Sequence, residues 1–199
     1  RKKPQDEDEI KKYEDFFAVL NDLPDQLDEE VLKFRGVEAD DIAAYISKNL
    51  DEYGFQDCWL ISSDKDWDLL INDRVSRFST VTRKETTVYN WDDHYDFEIP
   101  DYITFKCLTG DKGDNVPGIP GIGPKRAVQL MEQYGNVFDI YDACPINDRY
   151  KYIQNLNEHS EQLLMNVELM DLLTYSEEAI GESNKDIIDS EIMRYVNGD

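Results

Sequence analysis

Seven acidic residues fall in three short segments of the sequence, and their side chains could hold metal ions. The segments are GVEADD, SSDKDWD and GDKGDN, and the acids are Glu38, Asp40, Asp41, Asp64, Asp66, Asp111 and Asp114. Each segment lies where an apolar run becomes a loop or begins a helix, so a compact α/β fold could bring all seven to one edge. Clustered carboxylates repel one another unless they are protonated or bind a cation. Hard oxygen ligands of this kind favour Mg²⁺, with Mn²⁺ as a substitute.

The acids of the first two segments also have structural explanations. Glu38 and Asp41 are i, i+3 neighbours at the start of a predicted helix, where acids complement the helix dipole. Asp64 and Asp66 begin a D-x-D pattern, but a calcium loop of the EF-hand type would need glycine at the position of Leu69 and glutamate six residues later. The sequence therefore excludes an EF-hand and leaves metal binding or a structural role for these acids.

A glycine-rich stretch at the third acidic segment has the features of a phosphate-binding turn. It reads GDKGDNVPGIPGIGPKRA, and Pro124 stands where a Walker A loop needs its lysine. The turn leads into a predicted helix that begins with Pro124, Lys125 and Arg126. Free amide groups at a helix start, together with two cations, favour phosphate without reading bases. A helix hairpin stabilised only by its glycine turns is the alternative that this pattern leaves open.

The remaining pattern predicts the elements that must position these groups. An apolar stripe at helical spacing predicts a surface helix over about 6–23, packed on the core and ended by Pro24. Further helices are expected to begin at GVEADD and at WDLLI, and helical periodicity continues nearly throughout from about residue 100. Strands are expected at 31–34, at 58–62 with burial on both faces, at 76–80 and at 86–89.

The composition indicates a soluble globular protein without membrane spans. The chain has 199 residues, of which 40% are hydrophobic, and no run reaches the roughly 18 apolar residues of a membrane helix. The charged start has no apolar signal-peptide core. Cys58, Cys107 and Cys144 are widely spaced and form no CxxC pair, which argues against a zinc site and for a reducing compartment. We therefore expect a cytoplasmic protein.

The net charge of −23 opposes general nucleic-acid binding, but it is unevenly distributed. Lys106, Lys112, Lys125 and Arg126 gather around the glycine-rich turn in the sequence. A local basic patch on an acidic body can still hold phosphate.

The order of the three acidic segments and the glycine-rich turn resembles the 5′-nuclease family of phage 5′-3′ exonucleases, flap endonucleases and the 5′-exonuclease domain of bacterial DNA polymerase I. The resemblance runs from about Arg35 to Leu172. It implies an α/β fold in which a mixed, mostly parallel sheet lies between helices, as in a PIN-like core, followed by a helical region with a helix-three-turn-helix motif. Residues 1–105 are then a partial nuclease core with part of the helical arch, and residues 106–199 the helical region.

The resemblance also implies a function, a divalent-metal-dependent DNA 5′-nuclease of replication or repair. Its DNA would carry a free 5′ end or a 5′ flap, and two Mg²⁺ ions would lie among the seven acids. We assign Asp40 as the bridging ligand, with Asp64 and Asp66 as further catalytic acids. Asp64, Asp66 and Asp114 would hold the second metal, with Asp111 nearby, and Glu38 and Asp41 the first.

The family likeness also implies a role for the hairpin, the turn around residues 118–123. This hairpin would contact backbone phosphates and bind a K⁺ ion through carbonyl groups. The DNA contacts fall on Gly118, Gly121, Gly123, Lys125 and Arg126, and the K⁺ ligands on the carbonyls of Ile119 and Ile122. We expect a monomer with no membrane partner, located in the host cytoplasm if a phage encodes it. The family's first strand with its metal-binding aspartate and the arch lysine and arginine have no match here, so we expect a member without its first strands, in which residues 1–23 resemble the far leg of the arch. A non-catalytic duplex-DNA-binding fragment and a related RNA nuclease are the alternatives.

Overall fold

The computed structural model describes residues 6–22, 26 and 31–198. Within these ranges the α-helices are α1 (Glu7–Asp22), α2 (Ala39–Lys48), α3 (Leu50–Tyr53), α4 (Tyr102–Thr109), α5 (Pro124–Tyr134), α6 (Val137–Ala143), α7 (Lys151–Glu158), α8 (Ser160–Met170), α9 (Leu172–Ile180) and α10 (Glu182–Asn197). The strands are β1 (Cys58–Ile61), β2 (Val75–Ser79), β3 (Lys84–Thr86), β4 (Gly110–Asp111) and β5 (Val116–Pro117), and short 3-10 helices span Lys65–Leu70, Trp91–Asp93 and Ile99–Asp101. The fold is therefore α/β, with many helices and a small sheet.

The predicted first helix is present as α1, but it does not pack on the core. Acidic residues fill its first turn, where they complement the helix dipole. No residue of α1 is buried, and Phe16 is 60% exposed. Its rings contact one another instead, with the centroids of Tyr13 and Phe17 4.6 Å apart. The predicted core packing is wrong, and the predicted end at Pro24 lies outside the described residues.

The central sheet of three strands is mixed, with one parallel and one antiparallel pair. β1 pairs in parallel with β2, whereas β2 pairs antiparallel with β3. β1 is also covered on one face only, because Leu60 is buried against α2 and α3 while Trp59 and Ile61 are more than half exposed. Successive side chains of a strand point to opposite faces, so burial on both faces would have needed a second covering layer. The prediction of a doubly buried strand is therefore wrong.

Three further predicted elements differ in type or position. Residues 31–34 form no strand, and Leu32 and Phe34 instead pack on the cluster around Ile188 without regular secondary structure. The WDLLI helix is a six-residue 3-10 helix. β3 begins two residues earlier than predicted, because the Arg83 amide donates to the Ser79 carbonyl (2.8 Å) and closes the turn before it.

The second half is helical as predicted, and it has its own core. Leu108, Ile140, Leu156 and Leu163, from four different helices, are fully buried in one cluster. α9 and α10 then return to the first half, where Ile180 and Ile188 pack with residues of α2, among them Tyr45. The hydroxyls of Tyr45 and Tyr53 donate to Asp189 of α10 at 3.0 and 2.5 Å. No described helix is both long and apolar enough to cross a membrane.

Candidate functional site

Three of the predicted acids converge at the junction of the two halves. Asp66 lies in the 3-10 helix Lys65–Leu70 that follows β1, Asp111 ends β4, and Asp114 lies in the turn between β4 and β5. One carboxylate oxygen from each lies within 4.8 Å of those of the other two. Asp66 and Asp111 are half-buried and Asp114 is exposed, so the group opens to solvent on one side. We call these three acids the carboxylate cluster.

Lys106 of α4 lies beneath the carboxylate cluster and neutralises part of its charge. Its side chain is buried, and its ammonium group pairs with Asp66 and, at 3.1 Å, with Asp111. A buried ammonium of this kind is stable only with such partners. The prediction that Lys106 belongs to a basic surface patch is therefore wrong.

The pKa values of the two paired carboxylates are shifted in opposite directions. Burial raises the pKa of Asp66 above its ordinary value, and the hydrogen bond from Lys106 only partly offsets that effect. Burial also acts to raise the pKa of Asp111, but hydrogen bonds from Lys106 and from the Gly113 amide (2.7 Å) outweigh it and lower the pKa. Asp111 is thus the better stabilised anion of the pair.

Asp64 and Asp40 border the cluster through the same 3-10 helix. The Asp64 side chain caps that helix by accepting a hydrogen bond from the Asp66 amide at 3.0 Å. Asp40 accepts a hydrogen bond from the indole Nε1 of Trp67 at 2.7 Å. The first turn of α2 is thereby tied to the residue that follows Asp66.

Glu38 and Asp41 lie with Asp40 at the start of α2, where Glu38 is the N-cap residue. Burial raises the pKa of Asp41, and the charges of Glu38 and Asp40 act in the same direction. In the part of the chain that the structure describes, neither these three acids nor Asp64 belongs to a group of carboxylates as tight as the cluster. The structure thus brings three of the seven acids together and places the others in the two segments beside them.

A buried ion pair supports the 3-10 helix from below. Asp68 is 1% exposed and is held by Arg77 of β2 through two bonds, Nε to Oδ1 at 2.5 Å and Nη2 to Oδ2 at 2.9 Å. The Tyr95 hydroxyl donates to the same carboxylate at 2.5 Å, and the Tyr102 hydroxyl donates to the Lys65 carbonyl at 3.1 Å. Burial raises the pKa of both tyrosines, so both remain hydrogen-bond donors at neutral pH.

The glycine-rich turn follows the antiparallel pair of β4 and β5, at whose end two backbone segments approach closely. A Cβ atom on Gly118 would lie 2.3 Å from the Thr109 carbonyl, and one on Gly110 would lie 2.2 Å from the Gly118 amide nitrogen. Both glycines are therefore required by backbone contact. Ile119 and Ile122 are buried, and the Ile119 carbonyl accepts the Ile122 amide at 3.0 Å.

The start of α5 presents the predicted cations to solvent. Gly123 is the N-cap residue and Pro124 the first helical residue, as predicted. Lys125 and Arg126 are exposed, and Arg126 Nη1 donates to the Gly121 carbonyl at 2.5 Å. Gly121 has φ +84°, a backbone conformation that favours glycine.

Sequence reasoning missed the supporting residues Trp67, Asp68 and Arg77, and it missed the supporting role of Lys106. A signal existed for Lys106, since it is the one charged residue in the apolar run YITFKCL. The Asp68–Arg77 pair has no comparable signal, because its partners are nine residues apart and meet only when the 3-10 helix packs against β2.

The relatives found by comparison with known proteins agree with one another. Residues 98–186 match the family described as "5′-3′ exonuclease, C-terminal SAM fold". The flap endonuclease of Escherichia phage T5 is 42% identical over 179 residues, which are 88% of this chain and 61% of that protein. The chain thus spans less than two thirds of this relative's length.

Solved structures of the phage T5 protein share the fold. The T5 D15 protein co-crystallised with metal ions has a TM-score of 0.89 at 38% identity, and the match covers 98% of this chain and 74% of that one. A pseudo-enzyme–product complex of the bacteriophage T5 D15 flap endonuclease with DNA and metal ions has a TM-score of 0.86 at 38% identity, covering 97% and 73%.

Proposed function

Since the chain belongs to the 5′-3′ exonuclease family, we propose that it forms the metal-binding and DNA-binding part of a nuclease. The reaction is hydrolysis of a phosphodiester bond in DNA with a free 5′ end or a 5′ flap, giving a 5′-phosphate and a 3′-hydroxyl. The observation that carries this proposal is the carboxylate cluster, in which Asp66, Asp111 and Asp114 converge within 4.8 Å. The metal ions and the DNA named for the T5 D15 structures support it.

The donors of the cluster fit a hard divalent cation. All three offer carboxylate oxygens, which Mg²⁺ and Mn²⁺ prefer, and the exposed side leaves room for water and substrate phosphate. We assign one ion to the cluster with Asp64 and a second to Glu38 and Asp41, with Asp40 as a ligand shared by both. Bound there, two such ions would supply an activated water and charge neutralisation at the leaving oxygen.

The chain's own residues hold these ligands in place. Lys106 fixes the carboxylates of Asp66 and Asp111, and Trp67 fixes that of Asp40. Asp64 caps the 3-10 helix, which orients the Asp66 backbone. These contacts order the acids before substrate binds, so less ordering entropy is lost on binding.

We assign DNA backbone binding to the hairpin. Gly118, Gly121 and Gly123 allow the turn, and Lys125 and Arg126 place two exposed cations at the start of α5. We propose that this segment is the helix-three-turn-helix motif, with K⁺ bound at the carbonyls of Ile119 and Ile122. We also propose a monomer divided into residues 1–105, the nuclease core, and residues 106–199, the helical region.

Cleavage assays test this function. The protein is incubated with a 5′-flap DNA, a duplex with a free 5′ end and a structured RNA, each in Mg²⁺ and in EDTA. We expect Mg²⁺-dependent cleavage of DNA, and the Asp66→Asn variant serves as the control for contaminating nuclease. DNA binding without cleavage would favour the non-catalytic module, and cleavage of RNA alone would favour an RNA nuclease.

A further inference from the structure

The turn of the hairpin is braced from the side by α7. Arg126 donates to the Gly121 carbonyl at 2.5 Å, and its guanidinium carbon lies 4.5 Å from the centroid of the Tyr152 ring. Asn155 Nδ2 donates to the Pro120 carbonyl at 2.7 Å. Two successive carbonyls of the turn are thus held, one through Arg126 and Tyr152 and one through Asn155.

The brace joins the exposed turn to a rigid support. Ile153 and Leu156, which flank Tyr152 and Asn155 on α7, are buried in the core of the helical half. The turn itself reaches α7 across 35 residues of sequence, from Pro120 to Asn155. Movement of the turn would therefore have to break contacts with a helix that is fixed by packing.

The two cations of the hairpin differ in their surroundings. The Arg126 guanidinium is engaged by the Gly121 carbonyl and the Tyr152 ring. Within residues 6–22, 26 and 31–198, the Lys125 ammonium has no hydrogen-bond or ion-pair partner, and it is exposed. A planar guanidinium suits stacking and carbonyl bonding at once, whereas an ammonium is a compact, mobile charge.

We propose that Tyr152 and Asn155 are positioning residues of the DNA-binding hairpin, and that they act through Arg126 and the Gly121 turn. Arg126 serves chiefly as the link in this brace, and Lys125 supplies the phosphate contact. This inference rests on the proposed DNA binding of the hairpin. The brace raises affinity by ordering the turn before the backbone phosphate arrives, which removes part of the entropy cost of binding.

The expected change in DNA affinity follows from the cation–π contact that the substitution removes. An exposed cation–π contact corresponds to about a two- to fivefold change in affinity. Tyr152→Leu should weaken duplex binding by that factor without changing the slope of log affinity against log salt, because no charge is removed. Tyr152→Phe keeps the ring face and should retain the affinity. Lys125→Ala should weaken binding and lower the slope by about 0.9.

The Arg126→Lys variant distinguishes the effect of the brace from the effect of the positive charge. The substitution keeps the positive charge but loses the planar group that bonds to the Gly121 carbonyl and stacks on Tyr152. We expect it to weaken binding as Tyr152→Leu does, and we expect the double variant to be no weaker than either single one, since both break the same brace. Affinity retained in Arg126→Lys would overturn the proposal.

The experiment is a salt titration of duplex-DNA affinity in EDTA, for two unrelated sequences, with melting temperatures measured for every variant. Tyr89→Leu is the matched control, because it removes a tyrosine that is 93% exposed beside the sheet. If Lys125→Ala changes neither the affinity nor its dependence on salt, the proposed DNA binding by the hairpin is contradicted. If Lys125→Ala behaves as expected and Tyr152→Leu binds normally, only the positioning role of Tyr152 and Asn155 is contradicted. Should Tyr152→Leu not fold, Arg126→Lys decides the question at an exposed position.

Discussion

The Arg77→Met substitution tests whether the 3-10 helix that carries Asp66 depends on the buried Asp68–Arg77 ion pair. Arg77 is 5% exposed and Asp68 1% exposed, and the pair is joined by two bonds of 2.5 and 2.9 Å. Methionine is unbranched and uncharged, and it matches the stem of the arginine side chain without its guanidinium group. The substitution therefore leaves the Asp68 carboxylate buried with only the hydroxyl of Tyr95 as a described partner.

The expected cost is large. Breaking a buried pair by removing one partner costs about 3–5 kcal/mol, because an uncompensated charge remains in a site of low polarity. Arg77 also donates to the Ser62 carbonyl (3.0 Å) and the Thr86 hydroxyl (3.2 Å), and their loss adds about 1 kcal/mol each. Against a typical total stability of about 5–15 kcal/mol, this loss is a substantial fraction.

Urea unfolding at neutral pH measures the loss, provided that the slope with denaturant is unchanged. Asp51→Asn is the matched control, since it removes one partner of the exposed Arg74–Asp51 pair (2.5 Å) and should cost at most about 1 kcal/mol. The double variant Asp68→Leu with Arg77→Met should be more stable than Arg77→Met, because no charge is left unpaired. A loss below about 1 kcal/mol for Arg77→Met would refute the reasoning.

Three further predictions concern the carboxylate cluster. Millimolar Mg²⁺ should raise the melting temperature relative to EDTA, because a cation that binds only the folded state stabilises that state. Melting curves that superimpose in Mg²⁺ and in EDTA would contradict a metal site. Lys106→Met should lower the melting temperature in EDTA, and Mg²⁺ should restore part of the loss; a loss that Mg²⁺ leaves unchanged would assign Lys106 to packing alone. Asp66→Asn should abolish flap cleavage in Mg²⁺ and leave flap-DNA binding in EDTA intact or tighter. Normal cleavage would remove Asp66 from the site.

Elements with strong local signals could be predicted from the sequence. α5 begins at Pro124 as expected, since proline is pre-organised for a first helical turn. This helix start depends on residues that are neighbours along the chain.

Features that depend on distant partners could not be predicted. The stripe of α1 has the periodicity of a packed helix, but periodicity does not say whether a covering surface lies nearby. Lys106 resembles a surface cation until the fold places Asp66, forty residues earlier, against it. In both cases the missing information is the position of a second element in space.

The charge balance at the cluster accounts for the buried lysine. Asp66, Asp111 and Asp114 carry three negative charges and Lys106 one positive charge, which leaves a formal charge of −2. One divalent cation would offset this remainder and leave only the charge of Asp64 beside it, whereas without Lys106 the same ion would leave the site more negative by one charge. The cations at the start of α5 need no such ion, because they are positive themselves. Salt screens exposed charges beyond about 8–10 Å, so the overall charge of −23 acts only weakly on either site. We therefore expect hairpin binding to persist in EDTA, and only phosphate contact at the cluster to require metal.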